Sequence, residues 1–217
     1  MEIDTEIEMS DDWFTAIAVY SDMEETGFFE SSNELLNKFV KATKWSTKSN
    51  STDLPTDCPT RERHGWTGDA QIFFNTAAYL FDYATFSEKY IRDVYDWQQK
   101  DGKLPQIVPY GGVDFFMSWM NGSVGWSDVG VLIPYRFWKI YNDDYLIKRY
   151  YAGMVKYAKF MISRCGKWTP LKHNIRLSSK NSKYFVNFGQ SYGEWAEPKD
   201  VFPNDWKNTV MPNPEES

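Results

Sequence analysis

The sequence predicts a mainly α-helical protein, part of an α/α barrel preceded by short β-strands. Three observations predict it. Apolar residues recur at helical spacing in five segments between residues 32 and 164. Segments that are apolar nearly all round alternate with amphipathic ones. Short connections alternate with long ones, as in a series of antiparallel hairpins.

The first elements read as strands. Residues 2–9, EIDTEIEM, alternate acidic with mostly apolar side chains at a period of two, and residues 14–20, FTAIAVY, make a second β-like run. Two strands alone are marginal in water, so they are expected to finish a sheet built elsewhere. The expected division is therefore residues 1–30 as the closing strands and linker of a preceding β-domain. Residues 31–217 are then the N-terminal half of an α/α-barrel domain.

Ser31 with Glu34 fits a capping box opening a helix over 32–48, with Leu35, Leu36, Phe39 and Val40 as its apolar stripe. A second helix is expected over 69–83. Its Ile72, Phe73, Phe74, Ala77, Ala78, Leu80 and Phe81 cover most of the circumference and predict burial on most sides. The third, 87–99, turns Tyr90, Ile91, Val94 and Trp97 to one side. The fourth, 128–141, is again apolar nearly all round, with Asp128 as its N-cap and Pro134 as a kink. The fifth, 143–164, is expected to bury Leu146, Tyr150, Met154, Tyr157, Ala158 and Met161 and to end near Gly166.

The long connections are 49–68, 100–127 and everything after 165. In an antiparallel series they must fall at one end, which makes that end the elaborated face. It would carry DCPTRERHGWTGDA (57–70), SWMNGSVGWSD (118–128) and GQSYGEW (189–195), and this convergence marks a site. The hairpins present are too few to close a ring. The final VMPNPEES reads as the approach to a further helix. The chain therefore reads as a fragment whose open half-barrel exposes apolar faces, and self-association is expected.

Composition excludes several function classes. Net charge is −6 with no Lys/Arg cluster, which argues against nucleic acid. No apolar run reaches the roughly 18 to 20 residues of a membrane span, and the acidic N-terminus lacks a signal-peptide pattern. Cys58 and Cys165 make neither a disulfide framework nor a metal-binding spacing, and two histidines, His64 and His173, rule against a His-rich metal centre. Much of the aromatic content of ten Trp, 14 Tyr and 15 Phe must pack helices, yet rings this frequent also suit a site that stacks on flat apolar faces.

Residues 57–69 concentrate the chemistry, with three carboxylates (Asp57, Glu62, Asp69), two guanidiniums (Arg61, Arg63), His64 and Trp66. Acids beside a broad aromatic face are what protonating and holding a sugar would require. Glu62 is the candidate general acid, or else a member of a loop salt-bridge network. Asp57 and Asp69 favour its protonated form, whereas Arg61, Arg63 and a helix N-terminus favour its ionised form. Asp57 and Asp69 suit vicinal hydroxyls, with helix capping the alternative for Asp69. Arg61 either donates to a hydroxyl or pairs with a neighbouring acid. Trp66 either stacks on a sugar or packs beneath the loop. His64 reads as a structural donor. Trp119, Trp126 and Trp195 divide between pocket wall and core, and Glu194 is a second candidate acid or ligand-binding residue.

DCPTRERHGWTGDA resembles the signature of the inverting α-L-rhamnosidases, bacterial and fungal glycoside hydrolases with an (α/α)6 catalytic barrel. GFFESSNELLNK (27–38), GWSDVGVLIP (125–134) and YGEW (192–195) extend the resemblance over most of the chain. The resemblance implies that Glu62 is the general acid and that Asp57, Arg61, Trp66 and Asp69 hold the rhamnose. It also implies that Trp126 and Trp195 form an aromatic wall. Glu194 stands where the family commonly has Asp. The family's general base is a glutamate beyond residue 217, so the chain is expected to supply only the acid. The implied partner is a rhamnose-containing glycoside or polysaccharide, and no cofactor is implied. The alternative function is a non-catalytic carbohydrate-binding or structural helical fragment.

Overall fold

The computed structural model describes residues 10–112, 121–165 and 183–184. These contain a 3-10 turn at Asp11–Trp13 and five α-helices: α1 Glu34–Ser49, α2 Thr67–Leu80, α3 Ala84–Asp96, α4 Val129–Tyr141 and α5 Tyr145–Arg164. Three residues join α2 to α3 and three join α4 to α5, as in the expected hairpins. Helix α4 packs against α2, α3 and α5, and α3 also packs against α5. The two strongly apolar helices therefore meet across the hairpins, with the amphipathic pair outside them. This is the inner and outer arrangement of a partial α/α barrel.

The core is one apolar cluster. Phe74, Ala77 and Phe81 from α2 and its end meet Tyr90, Ile91 and Val94 from α3. Ile133 and Phe137 of α4, with Leu146, Tyr157 and Phe160 of α5, complete it. At the short-loop end, the Tyr83 amide donates to Tyr141 Oη at 3.0 Å and ties the first hairpin to the second. Residues 24–27 pass over the same end, where Thr26 and Gly27 amides both donate to the Leu80 carbonyl.

Several boundaries differ from expectation for identifiable reasons. The α1 cap is Asn33, whose Oδ1 accepts from the Leu35 and Leu36 amides at 3.0 and 3.4 Å. Ser31 instead clamps onto Asn37 two turns on. Helix α3 starts at Ala84, because Asp82 Oδ1 accepts from the Ala84 amide. Ser87, expected as the first residue of this helix, lies inside it and donates to the Tyr83 carbonyl. Helix α4 is not capped by the Asp128 side chain. That carboxylate accepts from the Gly125 amide at 2.7 Å and from Tyr157 Oη at 2.8 Å. Helix α5 ends at Cys165 in extended backbone.

Burial also differs. The α1 stripe is not buried: Leu35, Leu36 and Phe39 are all exposed, because no described element packs on that face. Helix α2 is buried on one side only, with Ile72 and Tyr79 exposed and Phe74 and Ala77 enclosed. In α5, Leu146 and Tyr157 are buried but Ala158 is exposed. Residues 14–20 form no named strand and are exposed, since a β-like run without a partner strand has nothing to pair with. Pairing among the described residues is confined to isolated bridges. Residues 2–9 lie outside the described residues.

Pro134 sits buried inside α4. It has no amide hydrogen to offer the carbonyl four residues back, that of Gly130. Tyr95 Oη of α3 supplies the missing donor at 2.8 Å.

Candidate active site

The described residues of the connections before α2 and before α4 meet at the N-terminal ends of those two helices. The chain entering α2 is pinned to the connection after α3 by an antiparallel bridge between Trp66 and Ile107. The Val108 amide donates to the Gly65 carbonyl, and the Thr67 amide to the Gln106 carbonyl, both at 2.9 Å. Tyr90 Oη adds a bond to the Gly65 carbonyl. On the other side, Gln71 of α2 donates through Nε2 to the Gly125 carbonyl at 3.0 Å. Arg136 of α4 donates to both the carbonyl and side-chain oxygens of Gln71. The 57–69 loop and the approach to α4 are thereby fixed to one face.

Within the loop, the Asp57 amide donates to the His64 carbonyl, and the His64 amide donates back to Asp57 Oδ1 at 3.1 Å. The turn between them is closed by the Arg63 amide on the Cys58 carbonyl, with Arg63 in the left-handed region at φ 57. Cys58 ties the two acids together: its thiol donates to Asp57 Oδ2 at 3.0 Å and accepts from the Glu62 amide at 3.2 Å. Both Glu62 oxygens are engaged. Arg61 Nη2 reaches Oε1 at 2.7 Å, and Trp66 Nε1 donates to Oε2 at 2.9 Å.

The remaining loop residues follow from this frame. Arg61 takes the ion-pair alternative and is itself exposed. Trp66 is half-buried, packing and bonding beneath Glu62 rather than standing free. His64 lays its ring against Gly111, a packing role that agrees with a structural histidine. Asp69 sits in the first turn of α2, whose N-cap is Trp66, so it does not cap the helix from the expected position. Trp126 is half-buried and lies over Gly68: a Cβ there would stand 2.6 Å from Trp126 Cε2. Glu194, Trp195, Trp119 and His173 lie outside the described residues.

The two aspartates differ electrostatically. Desolvation pushes Asp57 up, but hydrogen bonds from the Cys58 thiol, the Cys58 and His64 amides and Glu62 outweigh it, and its pKa falls below the ordinary value. Asp69 moves the other way. Desolvation raises it, helped by repulsion from Asp57 and Glu62. Its side chain is solvent-accessible by area, so screening tempers that rise. The cluster thus holds one acid ionised and another biased towards its protonated form.

Sequence reasoning missed Cys58, although its spacing from Glu62 (i, i+4 across a turn) was readable. It also missed Gln71 and Arg136, which join α2 to α4 and carry no local signal. The Asp57, Cys58 and Glu62 ligand atoms all lie within 4.8 Å of one another, a proximity that their mutual hydrogen bonds already explain.

A family profile described as the bacterial α-L-rhamnosidase six-hairpin glycosidase domain matches residues 24–210. The chain belongs to this family. Among curated relatives, an α-L-rhamnosidase of Formosa agariphila is 34% identical over 192 residues, covering 87% of this chain and 18% of the relative. One of Alteromonas sp. strain LOR is 31% identical over 188 residues, covering 86% and 18%. The solved α-L-rhamnosidase of Dictyoglumus thermophilum aligns with a TM-score of 0.67 at 32% identity, over 89% of this chain and 18% of that one. The Streptomyces avermitilis α-L-rhamnosidase, solved in complex with L-rhamnose, gives 0.66 at 28% identity, over 84% and 16%. The chain thus spans under a fifth of the length of these relatives. The helical hairpins above are consistent with part of that family's barrel.

Proposed function

We propose that this chain forms one wall of an inverting α-L-rhamnosidase site, with Glu62 as the general acid. The observation that carries the proposal is the placement of Glu62. Trp66 and Arg61 hold it beside Asp57 and within electrostatic reach of Asp69, at the face where α2 and α4 begin. Asp57 and Asp69 hold rhamnose hydroxyls, Arg61 donates to one, and Trp66, Trp126 and Trp195 meet the apolar face of the ring. Glu194 is a further sugar contact.

In the reaction, Glu62 protonates the glycosidic oxygen while water attacks C1 from the opposite face. Because Arg61 is exposed, its side chain can leave Oε1 and free that oxygen for the leaving group, while Trp66 keeps Oε2 in place. Inversion needs a second carboxylate about 6.5 to 9.5 Å away to activate the water. We assign that base to polypeptide outside residues 1–217. The same reading makes residues 1–30 the end of a β-domain and residues 31–217 the first half of the barrel.

The test is an assay of the 217-residue chain with p-nitrophenyl α-L-rhamnopyranoside and with L-rhamnose. Binding of L-rhamnose without turnover is expected. Turnover abolished by Glu62→Gln would overturn the assignment of the base to a region outside the chain. Neither binding nor turnover would overturn the whole reading.

A further inference from the structure

Trp126 stands on a turn whose backbone is gripped by side chains. Gly125, the residue before it, lies in the left-handed region at φ 84. A Cβ added there would meet nothing within 4 Å, so backbone conformation rather than crowding calls for glycine. Both backbone groups of Gly125 are engaged. Its amide donates to Asp128 Oδ2 at 2.7 Å, and its carbonyl accepts from Gln71 Nε2 of α2 at 3.0 Å. Each of these two side chains is anchored in turn. Tyr157 Oη, from α5, donates to Asp128 Oδ1 at 2.8 Å. Arg136 Nη1, from α4, donates to Gln71 Oε1 at 3.0 Å and to the Gln71 carbonyl.

These anchors are buried, Tyr157 at 3% exposure and Gln71 at 7%. A buried polar group that loses its partner costs more than one bond returns, so each is held to a single arrangement. Burial, with the Asp128 charge beside it, pushes the Tyr157 hydroxyl well above the ordinary tyrosine value. It therefore stays a donor across the working range of pH. The Gly125 carbonyl that Gln71 holds belongs to the planar peptide unit leading into Trp126, so its direction fixes where the next residue starts. From there the Trp126 ring lies against Gly68, the residue before Asp69.

We propose that Tyr157 and Gln71 are positioning residues of the sugar site, setting the Trp126 ring over the start of α2 through the two backbone groups of Gly125. The proposal rests on the reading of Trp126 as part of the rhamnose wall. Tyr157 is on a helix that supplies none of the proposed sugar contacts, and it acts on the site through one phenol.

The test is calorimetric titration of L-rhamnose into the 217-residue chain and its variants. Tyr157→Phe removes only the hydroxyl, and Gln71→Met removes the amide at similar length. Each should weaken L-rhamnose binding about fivefold, the equivalent of one hydrogen bond. In a Trp126→Ala background neither should weaken it further, because the ring through which they act is gone. A merely structural role would lower unfolding midpoints, measured for every variant, without that dependence on Trp126. Labelling with 5-fluorotryptophan gives a second readout. The fluorine signal absent from Trp126→Ala belongs to Trp126, and it should shift in both single variants. Substitutions on two helices guard against one failing to fold. An unmoved Trp126 signal, or a weakening that persists in full without Trp126, overturns the positioning role while the rhamnosidase reading stands. Failure of the folded wild-type chain to bind L-rhamnose overturns both.

Discussion

The indole N–H of Trp66 donates to Glu62 Oε2 at 2.9 Å, across one turn of the loop that opens α2. This bond fixes the candidate proton donor to the rigid entry of a helix rather than to the mobile end of a side chain. Trp66→Phe keeps a six-membered ring and deletes the five-membered ring that carries the donor. It should lower stability by about 1 kcal/mol, the net worth of one such hydrogen bond. Glu62→Gln should have a smaller effect, because the amide oxygen can still accept from Nε1. Chemical denaturation of both variants checks this, and a neutral Trp66→Phe would show that the bond does not form in solution.

Tyr95 and Pro134 make a second pair with a sharp signature. Tyr95→Phe strands the buried Gly130 carbonyl, and about 1 to 3 kcal/mol should be lost. In a Pro134→Ala background, residue 134 regains an amide hydrogen that serves Gly130 within the helix. The cost of Tyr95→Phe should then shrink, so a double-mutant cycle should give a clear coupling energy. Strict additivity would contradict the account of how α4 accommodates its proline.

The two aspartates predict opposite pH behaviour. Asp57 has its folded pKa lowered, so its stabilisation is present above the unfolded value of about 3.9 and is lost as pH falls through the folded value. Asp69 has its folded pKa raised, so its favourable contribution exists below about 3.9 and is lost as pH rises through the folded value. At neutral pH, Asp57→Asn should therefore destabilise and Asp69→Asn should stabilise, with both differences fading in acid. Unfolding midpoints at pH 3 to 8 measure this. A stabilising Asp69→Asn that also loses rhamnose binding would mark a residue kept for function at a cost to stability.

Gly68 has its own consequence. With no Cβ it lets the Trp126 ring close over the start of α2. Gly68→Ala should displace that indole, cost about 1 to 3 kcal/mol by overpacking, and weaken L-rhamnose binding. Intrinsic tryptophan fluorescence follows the displacement. An unchanged spectrum with unchanged binding would remove Trp126 from the proposed wall.

The helical hairpins, and the end at which the connections before α2 and α4 lie, were legible because periodicity and loop length are local signals. The apolar stretches of α2 and α4, read with the short three-residue connections, were enough to place them as neighbours. Helix ends were less legible, because serine and aspartate have several uses. Ser87 bonds backward inside α3, and Asp128 spends its carboxylate on Gly125 and Tyr157. Burial was legible only where a partner is present. The Leu35, Leu36 and Phe39 stripe has the pattern of a core face yet is open, since periodicity states which face is apolar and not what covers it. In the site, the residue types of 57–69 named the acids, whereas the thiol link through Cys58 and the Trp66–Ile107 bridge required the folded chain.

The central claim is that the 57–69 loop holds rhamnose. A calorimetric titration of L-rhamnose into the 217-residue chain tests it most directly, with D-glucose as the control and with Asp57→Asn and Asp69→Asn alongside. Saturable binding of L-rhamnose alone, lost in both variants while they remain folded, is the predicted result. Binding unaffected by either substitution, or no binding to a folded wild-type chain, would contradict it.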